Sequence, residues 1–392
     1  MDVLIVTPVA PDPTARGAIP LLLDALVRGL APSHRLTVAF PTATERDLAA
    51  VESLATAGIE TLTAARGDRT IRRRAHLARR RLASDWPWRT VWFHAPALQV
   101  KLSAAMAERR FDVVLLEDAA TSYVLDRSLP LVVTDHEVVR TELGSVTGRS
   151  LRERLLQGAD RKRFAGHALK VWDRADVIQV FTRADAAAAL AAAPGVRDRL
   201  RVVPFGLTLP DPPTLPVIPG SLLFVGNFSH PPNVDAALWL VGEILPRVPG
   251  ASLVLAGSEM PAAVRDLAGP RVRLEQNPPD VLPLLARAAI SVAPLRTGGG
   301  MRMKVLQSLG AGRATVTTTL GAAGLDIGGP PPLLVADTDD EFAEAIRRLV
   351  ADEKLRVDLG RRARAHVAAS YTAEAYASRV EASLHAAVAA HR

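Results

Sequence analysis

The chain contains no cysteine, which excludes disulfides, thiolate metal sites and cysteine nucleophiles and suits a reducing compartment. Aromatic residues make up only 4% of it. A nucleic-acid binder more often spreads basic residues through a recognised fold with stacking aromatics, so no nucleic-acid partner is expected. No run approaches the roughly 18 apolar residues that a membrane span requires. The opening residues, MDVLIVTPVAPDP, lack a basic n-region, carry Asp2 and break at Pro8. They read as a first buried strand rather than a signal peptide. The expectation is a cytoplasmic protein, at most membrane-associated at the inner face.

What is present is a chain of 392 residues, 48% hydrophobic and 23% charged, enough for two domains with real cores. Heavy use of alanine, arginine and proline points to a GC-rich bacterial genome. The net charge is +7, and its location says more than its size. Between Arg66 and Arg89 nine arginines stand against Asp68 and Asp85. That segment alone accounts for the imbalance. It reads either as a solvated arginine face on a helix or as an amphipathic helix on anionic lipid, with Trp86 and Trp88 at the interface.

Short aliphatic runs alternate with helical stretches. Strands are expected at Val3–Thr7, Arg35–Phe40, Asp112–Glu117, Leu131–Thr134, Val177–Phe181 and Arg201–Val203. Helices are expected at Ile19–Leu30, Glu45–Thr56, Ala97–Arg109, Arg149–Trp172 and Arg183–Ala192. Several strands are apolar throughout, the mark of parallel strands covered on both faces. PFGLTLPDPPTLPVIPG, residues 204–220 with six prolines, reads as a linker. The alternation then restarts with SLLFVG, a helix from Asn233 to Leu245, ASLVLAG, RVRLEQ, ISVAP and ATVTT. The expected α/β organisation is a domain over 1–204, a linker over 205–220, a second domain over 221–370, and a terminal helix over 371–392 packing back toward the first. Ligands of such sheets sit beyond the carboxyl ends of the strands.

The stretch RTGGGMRMKVLQSLGAG, residues 296–312, follows the strand ISVAP. Glycines let backbone N–H groups approach a ligand, and the helix that follows offers free donors and a positive dipole end. Arg302 and Lys304 at that end oppose the dipole by a few tenths of a kcal/mol, which makes better sense if an anion completes the site. The alternative is a tight loop with two solvated cations. Neither the G-x-G-x-x-G fingerprint nor the P-loop pattern is matched.

The segment Leu222 to Leu325, with FVGNFSHPPNVDAALWLV, LVLAGS and APLRTGGGMRMKVLQSLGAGRATVTTTLGAAGL, resembles the nucleotide-binding domain of retaining GT-B glycosyltransferases of family 4. The likeness continues more weakly into the first domain. It implies a GT-B fold, two doubly wound Rossmann-like domains facing each other across a cleft. It implies a sugar moved from a nucleoside-diphosphate-sugar donor, UDP- or GDP-linked, to an unidentified acceptor with retention, and no metal or other cofactor. On these motifs the donor's diphosphate falls to Gly299, Gly300, Arg302 and Lys304, with Gly226 on the donor side. Gln307 stands where relatives carry the glutamate that holds the ribose, and Ala323 replaces the glutamate of GAEGL. Gly17, after the first strand, either meets the donor phosphate from across the cleft or permits a turn. His136, in LVVTDHEVV, is placed against the donor sugar. Glu117 and Asp118, ending FDVVLLED, either position the acceptor or, for Asp118, cap a helix.

Asp337, Asp339 and Asp340 precede EFAEAIRRLV and read as helix caps rather than metal ligands. His230 in SHPPN is within reach of the cleft. Gln307 and Ala323 give weight to one rival, a catalytically silent GT-B subunit or scaffold; a second rival keeps the fold but changes the reaction, as in a nucleotide-sugar epimerase or pseudo-glycosyltransferase.

Overall fold

The structure, a computed structural model, describes residues 1–15, 17–66, 86–124, 128–136, 151–212, 214–298 and 301–391. The first half runs β1 (Asp2–Val6), α1 (Ala18–Leu30), β2 (Arg35–Thr42), α2 (Glu45–Thr56), β3 (Glu60–Ala65), α3 (Trp88–Phe93), α4 (Pro96–Glu108), β4 (Val113–Glu117), β5 (Leu131–Thr134), α5 (Leu151–Trp172), β6 (Val177–Val180), α6 (Arg183–Ala192) and β7 (Leu200–Val202). Its strands form one parallel sheet in the order β3-β2-β1-β4-β5-β6-β7. The order reverses beside β1, which pairs β2 on one side and β4 on the other, Val3 opposite Leu36 and Val113.

The second half runs β8 (Ile218–Asn227), α7 (Pro231–Trp239), β9 (Ser252–Ser258), α8 (Ala262–Arg265), β10 (Val272–Gln276), α9 (Leu282–Arg287), β11 (Ala288–Ala293), α10 (Met303–Gly310), β12 (Ala314–Thr317), β13 (Leu334–Val335), α11 (Asp339–Ala351), α12 (Glu353–Ser370) and α13 (Ala373–Ala390). Its sheet repeats the pattern, β10-β9-β8-β11-β12-β13, again parallel. This is an α/β architecture of two doubly wound sheets.

Local chemistry explains the helix starts. Thr44 accepts from the Asp47 amide and Asp47 returns the bond, a capping box that starts α2. Thr338 and Glu341 do the same for α11. Thr182 caps α6, Asp352 α12 and Thr372 α13. The helix expected from Asn233 to Leu245 keeps its α form only to Trp239, then passes through a π-turn at Leu240–Ile244 and a 3-10 turn at Leu245–Arg247. Gly242 and Pro246 stand in those turns, both poor in a helix interior. Strand β3 and helix α3 are additions to the sequence reading, and β8 begins within the stretch read as linker.

The proline-rich stretch crosses the corner between α12 and α13. Leu207 N–H donates to Tyr371 O, and Ala373 N–H donates to Leu207 O, both at 2.9 Å. A Cβ on Gly206 would lie 2.0 Å from Thr372 O, so only glycine permits the crossing. The terminal helix α13 then lies on the first half of the chain. Its Ala377 sits so close to Gly29 of α1 that a Cβ there would stand 2.6 Å away. One continuous buried cluster joins Val3, Ile5 and Leu115 of the first sheet to Val380 and Leu384 of α13 and Leu306 and Leu309 of α10.

Candidate functional site

On the second sheet β11 leaves at Ala293 into Leu295–Gly298. Gly298 has φ 103, left-handed backbone that favours glycine. A Cβ there would stand 3.2 Å from an Arg302 guanidinium nitrogen and 3.5 Å from Pro232. Gly299 and Gly300 lie outside the described residues. The chain then enters α10 with Arg302 at the N-cap position in extended conformation and without a side-chain cap.

Lys304 follows in the first turn, half-buried. Its ammonium donates to Asn233 Oδ1 and lies 4.7 Å from the centre of the Phe224 ring. Burial of that ammonium, reinforced by the nearby Arg302 charge, pulls its pKa down to about 7. Asn233 is held in turn, its Nδ2 donating to Asn227 O at 2.6 Å. Gly226 sits beneath it. A Cβ at Gly226 would meet the Asn233 side chain at 3.2 Å, and Gly226 O stands 1.7 Å from where a Cβ of Gly257 would be. Gly226 thus serves packing beneath the Lys304–Asn233 pair. Gln307, half-buried like Lys304, lies one turn further along the same face of α10.

Arg296, at the exit of β11, pairs with both Asp235 oxygens at 3.0 and 2.6 Å and lies 4.9 Å from the centre of the Trp239 ring. The Asp235 hydrogen bonds raise its pKa. His230 is exposed at the N-cap of α7.

On the first sheet Glu117 ends β4 and His136 follows β5. His136 Nε2 lies 2.8 Å from Glu117 Oε2, and the His136 ring packs edge-on against Phe181, which does the same against Phe205, with centroids 5.1 and 5.2 Å apart. The Glu117 side chain is wholly buried and Asp118 is 2% exposed. Glu117 turns toward His136, and Asp118 Oδ1 accepts from Ala120 N–H at 2.9 Å, capping the turn that follows β4. Asp118 holds φ 98, strained backbone of the kind found at functional sites. Gly17 is the exposed N-cap of α1 with φ −103, which any residue can adopt. Among the described residues a Cβ there would meet only Pro20 Cδ at 3.6 Å.

The two edges meet. A Cβ on Gly324, in the loop after β12, would lie 2.7 Å from the Thr182 methyl and 3.2 Å from Met301. Arg183 reaches Asp326 at 3.5 Å. The loop is anchored from behind, Ile327 N–H donating to Tyr371 Oη at 2.8 Å and His366 Nε2 meeting Leu325 O at 2.8 Å. The first sheet's edge, with His136 and Phe181, thus adjoins the segment that carries Met301, Arg302 and Lys304. Asn233 and Arg296 escape sequence reasoning, because their partners stand 71 and 61 residues away.

The aspartates before α11 have protein partners. Asp337 accepts from Thr319 N–H and O–H, Asp339 accepts from Trp239 Nε1–H, and Asp340 meets Arg247. The cap itself is Thr338. Among the described residues no group of three or more carboxylates and histidines could hold a metal ion. None of their helices is long and apolar enough to cross a membrane. Residues 67–85 of the arginine-rich segment lie outside the described residues. At its borders Arg66 lies over the Trp92 and Phe93 rings, and Trp88 is 44% exposed.

Residues 219–352 match the family model of glycosyl transferases group 1. Over 139 residues, 32% of this chain and 36% of the relative, the sequence is 25% identical to an uncharacterized 44.6 kDa protein in the cps region of Klebsiella pneumoniae. The chain thus spans about a third of the length of that curated relative. Anabaena HepE in complex with UDP and glucose superposes with a TM-score of 0.69 at 15% identity, over 98% of this chain and 99% of that one. S. aureus TarM in complex with fondaparinux, alpha-GlcNAc-glycerol and UDP gives 0.67 at 8%, over 98% and 100%. WaaG, a glycosyltransferase involved in lipopolysaccharide biosynthesis, gives 0.60 at 14%, over 97% and 98%. At such identities the likeness establishes the fold, GT-B.

Proposed function

We propose that this GT-B protein is a glycosyltransferase that moves a sugar from a nucleoside diphosphate to an acceptor with retention of configuration. The observation that carries the reading is Lys304. A cation shut into a half-buried pocket, beside Arg302 and at an uncapped helix start, is poorly placed without an anion. A donor's diphosphate supplies that anion. The match of residues 219–352 to glycosyl transferases group 1 and the UDP bound in HepE support the same ligand.

In this reading the bond between the sugar's anomeric carbon and the β-phosphate oxygen breaks while negative charge grows on the diphosphate. Lys304, Arg302 and the first turn of α10 are assigned to that charge, held in place before the step begins. The acceptor hydroxyl attacks from the face the phosphate leaves, and its proton passes to the departing phosphate oxygen. Gln307, with an amide in place of a carboxylate, is assigned to the ribose, and His136, from the opposite sheet, to the sugar. The first domain's loops are assigned to the acceptor, and residues 66–89 to a peripheral contact with anionic lipid. The protein acts in the cytoplasm.

A screen of UDP- and GDP-sugars for slow donor hydrolysis identifies the donor. Lys304→Ala is then expected to lower turnover by about 10²–10³-fold, the loss typical of one preorganised donor, with the circular dichroism spectrum unchanged. Near-normal turnover in that variant would sink the assignment.

A further inference from the structure

A series of close fits fixes the side chain that holds Lys304. Strands β8 and β9 set Gly226 opposite Gly257, and a Cβ on Gly226 would press on Asn233 Cγ and Cβ at 3.2 and 3.3 Å. The bare backbone at the end of β8 lets Asn233 settle against it, where it is 9% exposed. The turn before α7 is fixed as well. Asn227 Oδ1 accepts from Ser229 N–H at 3.0 Å, and Asn233 N–H donates to His230 O at 3.0 Å. Pro231 and Pro232 restrict the backbone just ahead. Further along α7, Asp235 pairs with Arg296 and Trp239 Nε1–H donates to Asp339 Oδ1. The helix is thereby fastened to the exit of β11 and to α11.

The orientation of the Asn233 amide follows from its two partners. Nδ2 donates to Asn227 O at 2.6 Å, and Oδ1 accepts from the Lys304 ammonium. Turned over, the amide would set its N–H groups against an ammonium and its oxygen against a carbonyl, and neither pair can bond. Lys304 therefore meets a neutral acceptor in a fixed direction. A carboxylate at the same place would also hold the ammonium, but it would cancel the charge. The amide occupies one of three N–H groups and leaves the other two, with the full positive charge, to a further partner.

We propose that Asn233 is a positioning residue that aims the Lys304 ammonium and, being neutral, leaves its charge to an anionic ligand. That the anion is a donor's diphosphate rests on the transferase reading, whereas the hold of Asn233 on Lys304 does not. The titratable groups on the elements that enclose Lys304 are few. Arg302 stands at the start of α10, His230 at the N-cap of α7, and Asp235 on α7, where Arg296 pairs with it. Strand β8 brings no charge, only the Phe224 face.

The lysine itself reports the contact. The chain has five lysines, so protein carrying 13C at the lysine ε-carbons gives five NMR signals, and Lys304 is the one lost in Lys304→Arg. Its midpoint in the wild type should lie at about 7. Asn233→Leu keeps the shape but removes the acceptor, and should lower that midpoint by about one unit. Asn233→Asp sets an opposite charge in contact and should raise it by roughly one to three units. An asparagine that serves packing alone would move the signal in one direction, or not at all, in both variants. Nucleotide binding is then measured by calorimetry with UDP and with GDP at pH 8. Both variants should lose about tenfold in affinity for whichever the wild type binds, Leu because less ammonium remains and Asp because its carboxylate cancels the charge. Should Asn233→Leu fail to fold, Asn233→Asp decides alone: a raised midpoint supports the contact and an unmoved one overturns it. Unmoved midpoints in both variants, or shifts of the same sign, overturn the proposal. Shifted midpoints with wild-type nucleotide affinity overturn the part that leaves the charge to an anion. Opposite shifts in a protein that binds neither UDP nor GDP keep the hold of Asn233 on Lys304 and remove the transferase reading.

Discussion

Donor affinity is expected to depend on pH through Lys304. The ammonium is unfavourable in its pocket because burial strips it of water and the Arg302 charge lies nearby, and its pKa falls to about 7. A bound diphosphate brings opposite charge to that pocket and restores the ammonium, so binding takes up a proton wherever the free protein has lost it. The sign follows. Below pH 7 the charge is already present and affinity is flat. Above pH 7 affinity falls, approaching tenfold per unit. With a pKa of about 7, roughly half of the free protein is charged at pH 7 and about 3% at pH 8.5, a ~15-fold loss of affinity or about 1.6 kcal/mol. That lies within the roughly 1.5–3 kcal/mol carried by a hydrogen bond to a charged group, so one lysine accounts for all of it. The assay is calorimetric titration with a nucleotide sugar, whose phosphates carry no proton that titrates in this range. Pairs of buffers with different ionisation enthalpies should reveal about half a proton taken up at pH 7 and nearly one at pH 8.5. Lys304→Arg, charged throughout, should flatten the dependence whatever it does to absolute affinity. An affinity independent of pH in the wild type, with no proton uptake, would refute the reasoning.

Two stability predictions concern contacts where glycine is required by its neighbours. Gly206→Ala places a methyl 2.0 Å from Thr372 O and 2.5 Å from Thr372 C. Both are backbone atoms and cannot swing aside, so a loss of about 2 kcal/mol or more is expected in urea unfolding; a loss below about 0.5 kcal/mol would contradict the crossing. Gly29→Ala lies within α1, where alanine ordinarily gains about 1 kcal/mol over glycine. Here the new Cβ would stand 2.6 Å from the Ala377 Cβ, and overpacking of about 1–3 kcal/mol should outweigh that gain. The same change paired with Ala377→Gly should recover the stability, and failure to recover it would show that the helix contact is not the cause.

How much of this could be read from the chain follows the range of the interactions concerned. Helices α2 and α6 begin and end where periodicity places them, because Thr44 with Asp47 and Thr182 set their starts within three residues. Strand β3 escapes because it stands at the sheet edge, half-exposed, with Thr and Ala where inner strands carry Val and Leu. The basic pair on α10 was legible, since glycine loop and helix are contiguous. Its electrostatics were not, because the low pKa of Lys304 comes first from burial, and the groups that enclose it, Phe224 and Asn233, are brought in from β8 and α7. The strand-end position of Glu117 was legible as well, but a strand end leaves two directions open to a side chain. Burial of a carboxylate requires partners, and those partners, Thr134 and His136, stand on a strand and loop 17 and 19 residues further on. The parallel register that sets Glu117 opposite Thr134 therefore decides that the carboxylate points inward, to a histidine.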